Sequence, residues 1–136
     1  MMLTRVLRAD ERGLIGKILV LWIVLGALLL VAAIDTAQIL VTRYRVTDAA
    51  QTAAFEAGSA YRSSDGDRRA AYRAALEAVE EADAEAKLSR FVIDAPTGRV
   101  TVTVTRRVPT ILAGRIGLTR DLTRARATET AEPAPF

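Results

Sequence analysis

Residues 18–34 read Ile-Leu-Val-Leu-Trp-Ile-Val-Leu-Gly-Ala-Leu-Leu-Leu-Val-Ala-Ala-Ile, without a charge, between Lys17 and Asp35. As a helix this run is about 25 Å long at about 1.5 Å per residue. With residues 14–16 and the apolar positions up to Val41, it covers the ~30 Å of a hydrocarbon core. The spacing therefore predicts a transmembrane anchor over 14–42, preceded by a basic tail (1–13) and followed by an external domain (43–129) and a short tail (130–136). Arg5, Arg8, Arg12 and Lys17 stand against Asp10 and Glu11 before the run, whereas only Arg43 and Arg45 follow it closely. The Lys/Arg excess sets the N-terminus on the cytoplasmic side and the C-terminal domain outside, as in a single-pass cell-membrane protein. A cleaved secretory signal is the competing reading, with Val31, Ala32 and Ala33 as its small-residue cut. The length of the run, and the apolarity that resumes at Ile39, Leu40 and Val41, favour a retained anchor.

The chain has 136 residues, so the part beyond the anchor has room for one small domain. Net charge is +3, with signs interleaved along the external part. No Lys/Arg cluster with aromatic spacing gives a nucleic-acid footprint. Arg106, Arg107, Arg115, Arg120, Arg124 and Arg126 do gather in the last third. They read either as phosphate contacts or as solvated strand edges that discourage aggregation. There is no cysteine to staple the domain and no histidine. Without histidine, neither a His base, a Ser/Cys–His pair nor a Cys/His zinc site can be built. Neither an enzyme, a cofactor, a metal site nor a small-molecule substrate is expected. The run of Glu77, Glu80, Glu81, Asp83 and Glu85 leaves a carboxylate hydrolase as a rival to its plainer reading, a solvated helix face.

Beyond Asp35 the pattern stays helical to residue 61. Val46, Ala49, Ala50, Ala53, Ala57 and Ala60 recur at three- and four-residue steps and make a small-residue stripe. Such a stripe admits a partner helix at close range, with Ala49, Ala53 and Ala57 as helix–helix contacts, or packs on the protein's own sheet. Residues 63–67 break the helix, and Asp67 is placed to cap a second one over 68–87 with Leu76, Val79, Ala82 and Ala86 on one face. The period then falls to two. A strand over 90–94, turn residues 95–98 and a strand over 99–105 form a hairpin with Val100, Val102 and Val104 inward. Residues 110–118 form a loop or a short turn of helix whose Ile111, Leu112, Ile116 and Leu118 cover an edge or touch lipid. Residues 119–129 return as a third strand with Arg120, Leu122, Arg124 and Arg126 on one face and Thr123, Ala125 and Ala127 on the other. Helices followed by a meander give an α+β fold: one transmembrane helix extended outside the membrane, a second helix and a three-stranded antiparallel sheet.

The lead-in Glu11-Arg12-Gly13, the acidic step Ile34-Asp35-Thr36-Ala37 and the alanine-rich stretch from Arg43 through Ala57 resemble the TadE/TadG-like proteins of Tad (Flp) pilus systems. The resemblance covers residues 11–61 well and 88–129 loosely. It implies a pilin-like minor or assembly subunit whose partners are the membrane and other pilin-like or pilus-assembly proteins. It also implies that Asp35, aligned with the family's acidic residue at the outer membrane boundary, contacts a partner's helix or simply ends the span. Gly13 and Gly16 are the implied processing sites. The residues at the offset where pilin-like substrates carry glutamate are Ile18 and Leu21, neither acidic. Strand addition at an edge, 99–108 or 119–129, would complete the partner contacts. A single-pass envelope adaptor unrelated to pili is the alternative.

Overall fold

Helix α1 (Met2–Ser63) is uninterrupted by proline and begins twelve residues earlier than the sequence pattern places it. The computed structural model describes residues 2–113, 115–117 and 123–132, with side chains from residue 13 onward. The chain divides into two compact units, Met1–Ile34 and Asp35–Phe136, and α1 contributes to both. Leu118, Arg120 and Leu122, assigned above to the loop and third strand, lie outside the described residues, as does most of the expected tail.

The first unit is helix alone. Its large apolar side chains are exposed all round, Leu21 at 66% and Trp22 at 68%. This helix is long and apolar enough to cross a membrane.

In the second unit α1 ends at a polar, glycine-assisted stop. The Ser64 hydroxyl donates to the Ala60 carbonyl at 2.6 Å, and the Gly66 amide donates back to the Tyr61 carbonyl at 2.9 Å. Asp65 (φ 55°) and Gly66 (φ 84°) adopt the left-handed conformation that this closure needs. Asp67 then caps helix α2 (Arg68–Ala82) by accepting from the Arg69 amide at 2.9 Å. α2 stops five residues short of its expected end. Asp83 is its C-cap and turns the chain with its own carboxylate, which accepts from the Glu85 amide at 3.1 Å. The buried face of α2 is accordingly Ala71, Ala75, Ala78 and Val79, while Ala82 is exposed and Ala86 is buried beyond the helix.

Strands β1 (Lys87–Asp94), β2 (Arg99–Arg107) and β3 (Arg124–Ala131) form an antiparallel sheet in the order β1-β2-β3. The turn between β1 and β2 closes through the Gly98 amide on the Asp94 carbonyl at 2.8 Å, with Gly98 at φ 69°. A bulge between Leu88 and Arg90 keeps Leu88, Phe91 and Ile93 on the inner face, opposite Val104, Val102 and Val100. Tyr72 of α2 meets Phe91 edge to face, ring centroids 5.4 Å apart. The layout is α+β, with α1 and α2 contributing alanines and Val46 and Val79, and the sheet contributing its valines, to one core. Alanine against valine suits helices that lie close to a sheet, because large side chains on both layers would overfill the space.

Candidate functional site

Asp35 is the first residue after the apolar run and the first of the second unit. It is 5% exposed. Its Oδ1 accepts the Ile111 amide at 2.7 Å, and its Oδ2 accepts the Leu112 and Ala113 amides at 2.9 and 3.1 Å. A carboxylate that gathers three successive peptide N–H groups is met by backbone dipoles, not by a cation. It fixes the loop after β2 onto α1. The loop arrives there because Val108 and Pro109 end β2, with the Val108 amide donating to the Thr123 carbonyl at 2.7 Å. Within the chain, then, both carboxylate oxygens of Asp35 are engaged by the protein's own amides.

The other expected contact residues are also engaged within the chain. Ala49, Ala53 and Ala57 are each 0% exposed and belong to the core of their own unit. Of the two uses open to the stripe, packing on the chain's own sheet is the one observed, and no partner helix can reach these alanines in this fold. Asp35, Thr42 and Val46 are buried on the same stripe, at helical steps ahead of Ala49. That phase was the sequence signal for the role of Asp35: an acid on the stripe destined for the core has to find donors inside. The three amides that supply them carry no signature of their own.

Gly13 and Gly16 lie within α1, with nothing within 4 Å of where a Cβ would stand. β2 is the central strand, paired on both sides, so 99–108 offers no edge, and β1 and β3 hold the free edges instead.

The arginines separate into two classes. Arg106 points inward and is no phosphate contact. Its guanidinium donates to Asp83 at 2.6 Å and to Glu85 at 2.9 Å, with only 11% of the side chain exposed. Its Nε is buried without a hydrogen-bond partner among the described atoms. Two acids of the expected acidic face, Asp83 and Glu85, are therefore structural counter-charges. Glu77, Glu80 and Glu81 are exposed on α2. Glu77 and Glu81 line a shallow groove with Thr52 and Glu56, and among the described residues no cluster of acids is placed to hold a metal ion. Arg107, Arg124 and Arg126 lie on the outer face of the sheet, and Arg115 is exposed in the loop.

Opposite the buried stripe, α1 presents Leu40, Tyr44, Gln51 and Phe55 to solvent, with Tyr44 at 77% and Phe55 at 64%. Tyr44 and Phe55 are eleven residues apart, close to three helical turns, and so share one line on the helix. That spacing was legible in the sequence and is the surface that the alanine stripe obscured. No protein-family model, curated protein or solved structure matches this chain.

Proposed function

We propose that this protein is a single-pass, membrane-anchored, pilin-like subunit that serves the assembly of a Tad/Flp-type pilus or a related secretion machine, with its N-terminus on the cytoplasmic side. One observation carries the reading. α1 continues without a break from a run long enough to cross a bilayer into a helix whose alanine face is built into an antiparallel α+β unit. That order of elements is what the resemblance to TadE/TadG-like proteins implies. The anchor confines the subunit to two dimensions, which raises its effective concentration for lateral partners. Contact with a neighbouring pilin-like helix falls to the exposed line of Leu40, Tyr44, Gln51 and Phe55, since the alanines are taken. Aromatic anchors on an otherwise open helix face are the side chains that concentrate binding energy. The open edges of β1 and β3 are the second surface, through strand addition.

The chain's lack of cysteine makes the test direct. Gln51→Cys in the producing cell should give a cross-linked adduct with a pilin-like protein. Tyr44→Ala/Phe55→Ala should abolish that adduct and reduce surface filaments, while the protein stays at its normal level in the membrane. Filaments unchanged on deletion of the gene, with a cross-link to some other envelope protein, would overturn the pilus reading in favour of the envelope adaptor.

A further inference from the structure

The outer face of the sheet segregates charge along the strands. In register, Arg90 lies across from Thr103, Lys87 from Thr105, Thr105 from Arg126, and Arg107 from Arg124. All five cations are exposed; Lys87, Arg107, Arg124 and Arg126 occupy the end of the sheet where β2 finishes and β3 begins, and Arg90 stands at mid-strand, opposite Thr103. Among the described residues none of the five has an ion-pair partner. The acids of this face are at the far end, where Asp94 bonds Thr97 at 2.6 Å and Glu132, just past β3, pairs with Arg99 at 3.0 Å. Arg107 and Arg124 are directly opposite each other on neighbouring strands, an arrangement that like-charge repulsion disfavours unless an anion relieves it.

The position of this end is fixed by chemistry already described. Ile111, four residues after Arg107, is hydrogen-bonded to Asp35, and Asp35 is joined by one peptide bond to the last residue of the apolar run. Within the second unit, the loop that leaves this cationic end is therefore pinned to the unit's first residue, one peptide bond from the run. The same loop exposes Ile111 and Ile116. Cations on the strands that flank this loop, with isoleucines exposed in the loop and its backbone bonded to the residue that follows the apolar run, match an interface of headgroup phosphates above acyl chain.

We propose that the outer sheet face at the β2–β3 end docks the second unit onto the surface of an anionic bilayer, with Lys87, Arg107, Arg124 and Arg126 engaging lipid headgroup phosphates and Ile111 and Ile116 entering the interface. The proposal rests on the membrane-anchored reading of α1. The attraction is electrostatic at its rim, so it weakens as salt shortens the screening length.

The test uses the full chain in lipid nanodiscs with an environment-sensitive fluorophore on a single introduced cysteine, Ile116→Cys or, as an anchor control, Leu25→Cys. In nanodiscs containing phosphatidylglycerol the label at 116 should shift to shorter wavelength and be quenched by a lipid-borne quencher. In pure phosphatidylcholine, in molar salt, or with Arg124→Glu/Arg126→Glu, it should report water. Arg124→Gln/Arg126→Gln, a milder change at two exposed sites, should reduce the shift and guards against a folding defect. The label at 25 should report hydrocarbon in every case. Identical spectra at 116 in the two lipids, with 25 still in hydrocarbon, would overturn the docking and leave the anchor standing. A label at 25 in water would overturn the anchor itself. Salt-sensitive retention of DNA that the glutamate variant loses, with 116 unmoved by anionic lipid, would reassign the face to nucleic acid and overturn the proposal.

Discussion

The two halves of α1 obey opposite rules relating side-chain size to burial. Over residues 18–34 most side chains are large and apolar, and they are exposed on every side; from Asp35 onward the buried side chains are mostly alanine, and Tyr44 and Phe55 point away from the core, with Ile39 and Tyr61 packed partly against it. Hydropathy alone would rank the first half as the better core helix. The difference teaches that a helix apolar enough to cross a membrane advertises itself by bulk on all faces, whereas a helix built against a sheet advertises itself by smallness on one. Charge follows the same division. The apolar run holds none, and the folded unit buries a guanidinium only by surrounding it with two carboxylates.

The largest expected effect comes from breaking that buried charge cluster. Arg106→Met leaves the Asp83 carboxylate, whose side chain is 10% exposed, without its counter-charge. Breaking a buried pair from one side costs about 3–5 kcal/mol, so urea unfolding of the detergent-solubilised chain should shift by that much. Removing both partners with Arg106→Met/Asp83→Leu should recover most of it. A single variant as stable as the parent would mean that the core of the second unit tolerates free charge, and the contrast with the apolar run would lose its force.

The complementary change puts a charge where none exists. Leu25→Arg sits near the middle of the run, where an arginine disfavours insertion by about 2.5–3.5 kcal/mol. The variant should lose much of its resistance to alkaline extraction from membranes. Full retention would show that the exposed leucines of this half do not face lipid.

Much of the fold was legible because three periods carry it: the unbroken apolar run, the three-and-four alanine spacing, and the strict Val/Thr alternation of residues 100–105. The hairpin turn was legible from Pro96 and Gly98. Boundaries were less so. The helical spacing of Leu76, Val79, Ala82 and Ala86 carries α2 on to Lys87 in the sequence. What ends it is the pairing of Lys87 and Leu88 with β2, a tertiary contact that overrides local preference. The site was legible by half. Asp35 stood out as an acid at the end of an apolar run, but its partners are backbone amides more than seventy residues away, and an amide is the same in every residue. Arg106 and Arg107 look alike in the sequence. Only the registration of β2, which alternates faces, sends one to Asp83 and the other to solvent.

A smaller effect separates the two faces of the second half of α1. Ala53→Leu adds bulk at a site with 0% exposure and should destabilise the unit by about 1–3 kcal/mol through overpacking. Gln51→Leu, on the exposed line, should stay within about 0.5 kcal/mol of the parent. Both are read from the same denaturation curve. Equal tolerance at 51 and 53 would mean that the sheet does not press on the alanine stripe, and partner helices would regain access to it.

The smallest change in overall stability, and the most local, is expected at the residue where the two halves of α1 meet. Asp35→Asn keeps one carbonyl oxygen and replaces the other with an N–H₂ group. Placed at the Oδ2 position, that oxygen still serves the Leu112 and Ala113 amides, whereas the new donor faces the Ile111 amide and repels it. Amide exchange should therefore accelerate about tenfold at Ile111, with smaller changes at Leu112 and Ala113, and with the β1–β2 amides unaffected. Asp35→Ala should release all three together. If exchange instead rises evenly over the whole sheet, Asp35 is holding more than a loop. The junction between the apolar run and the core-facing helix would then be a cooperative part of the second unit's fold, and not a pin that can be drawn on its own.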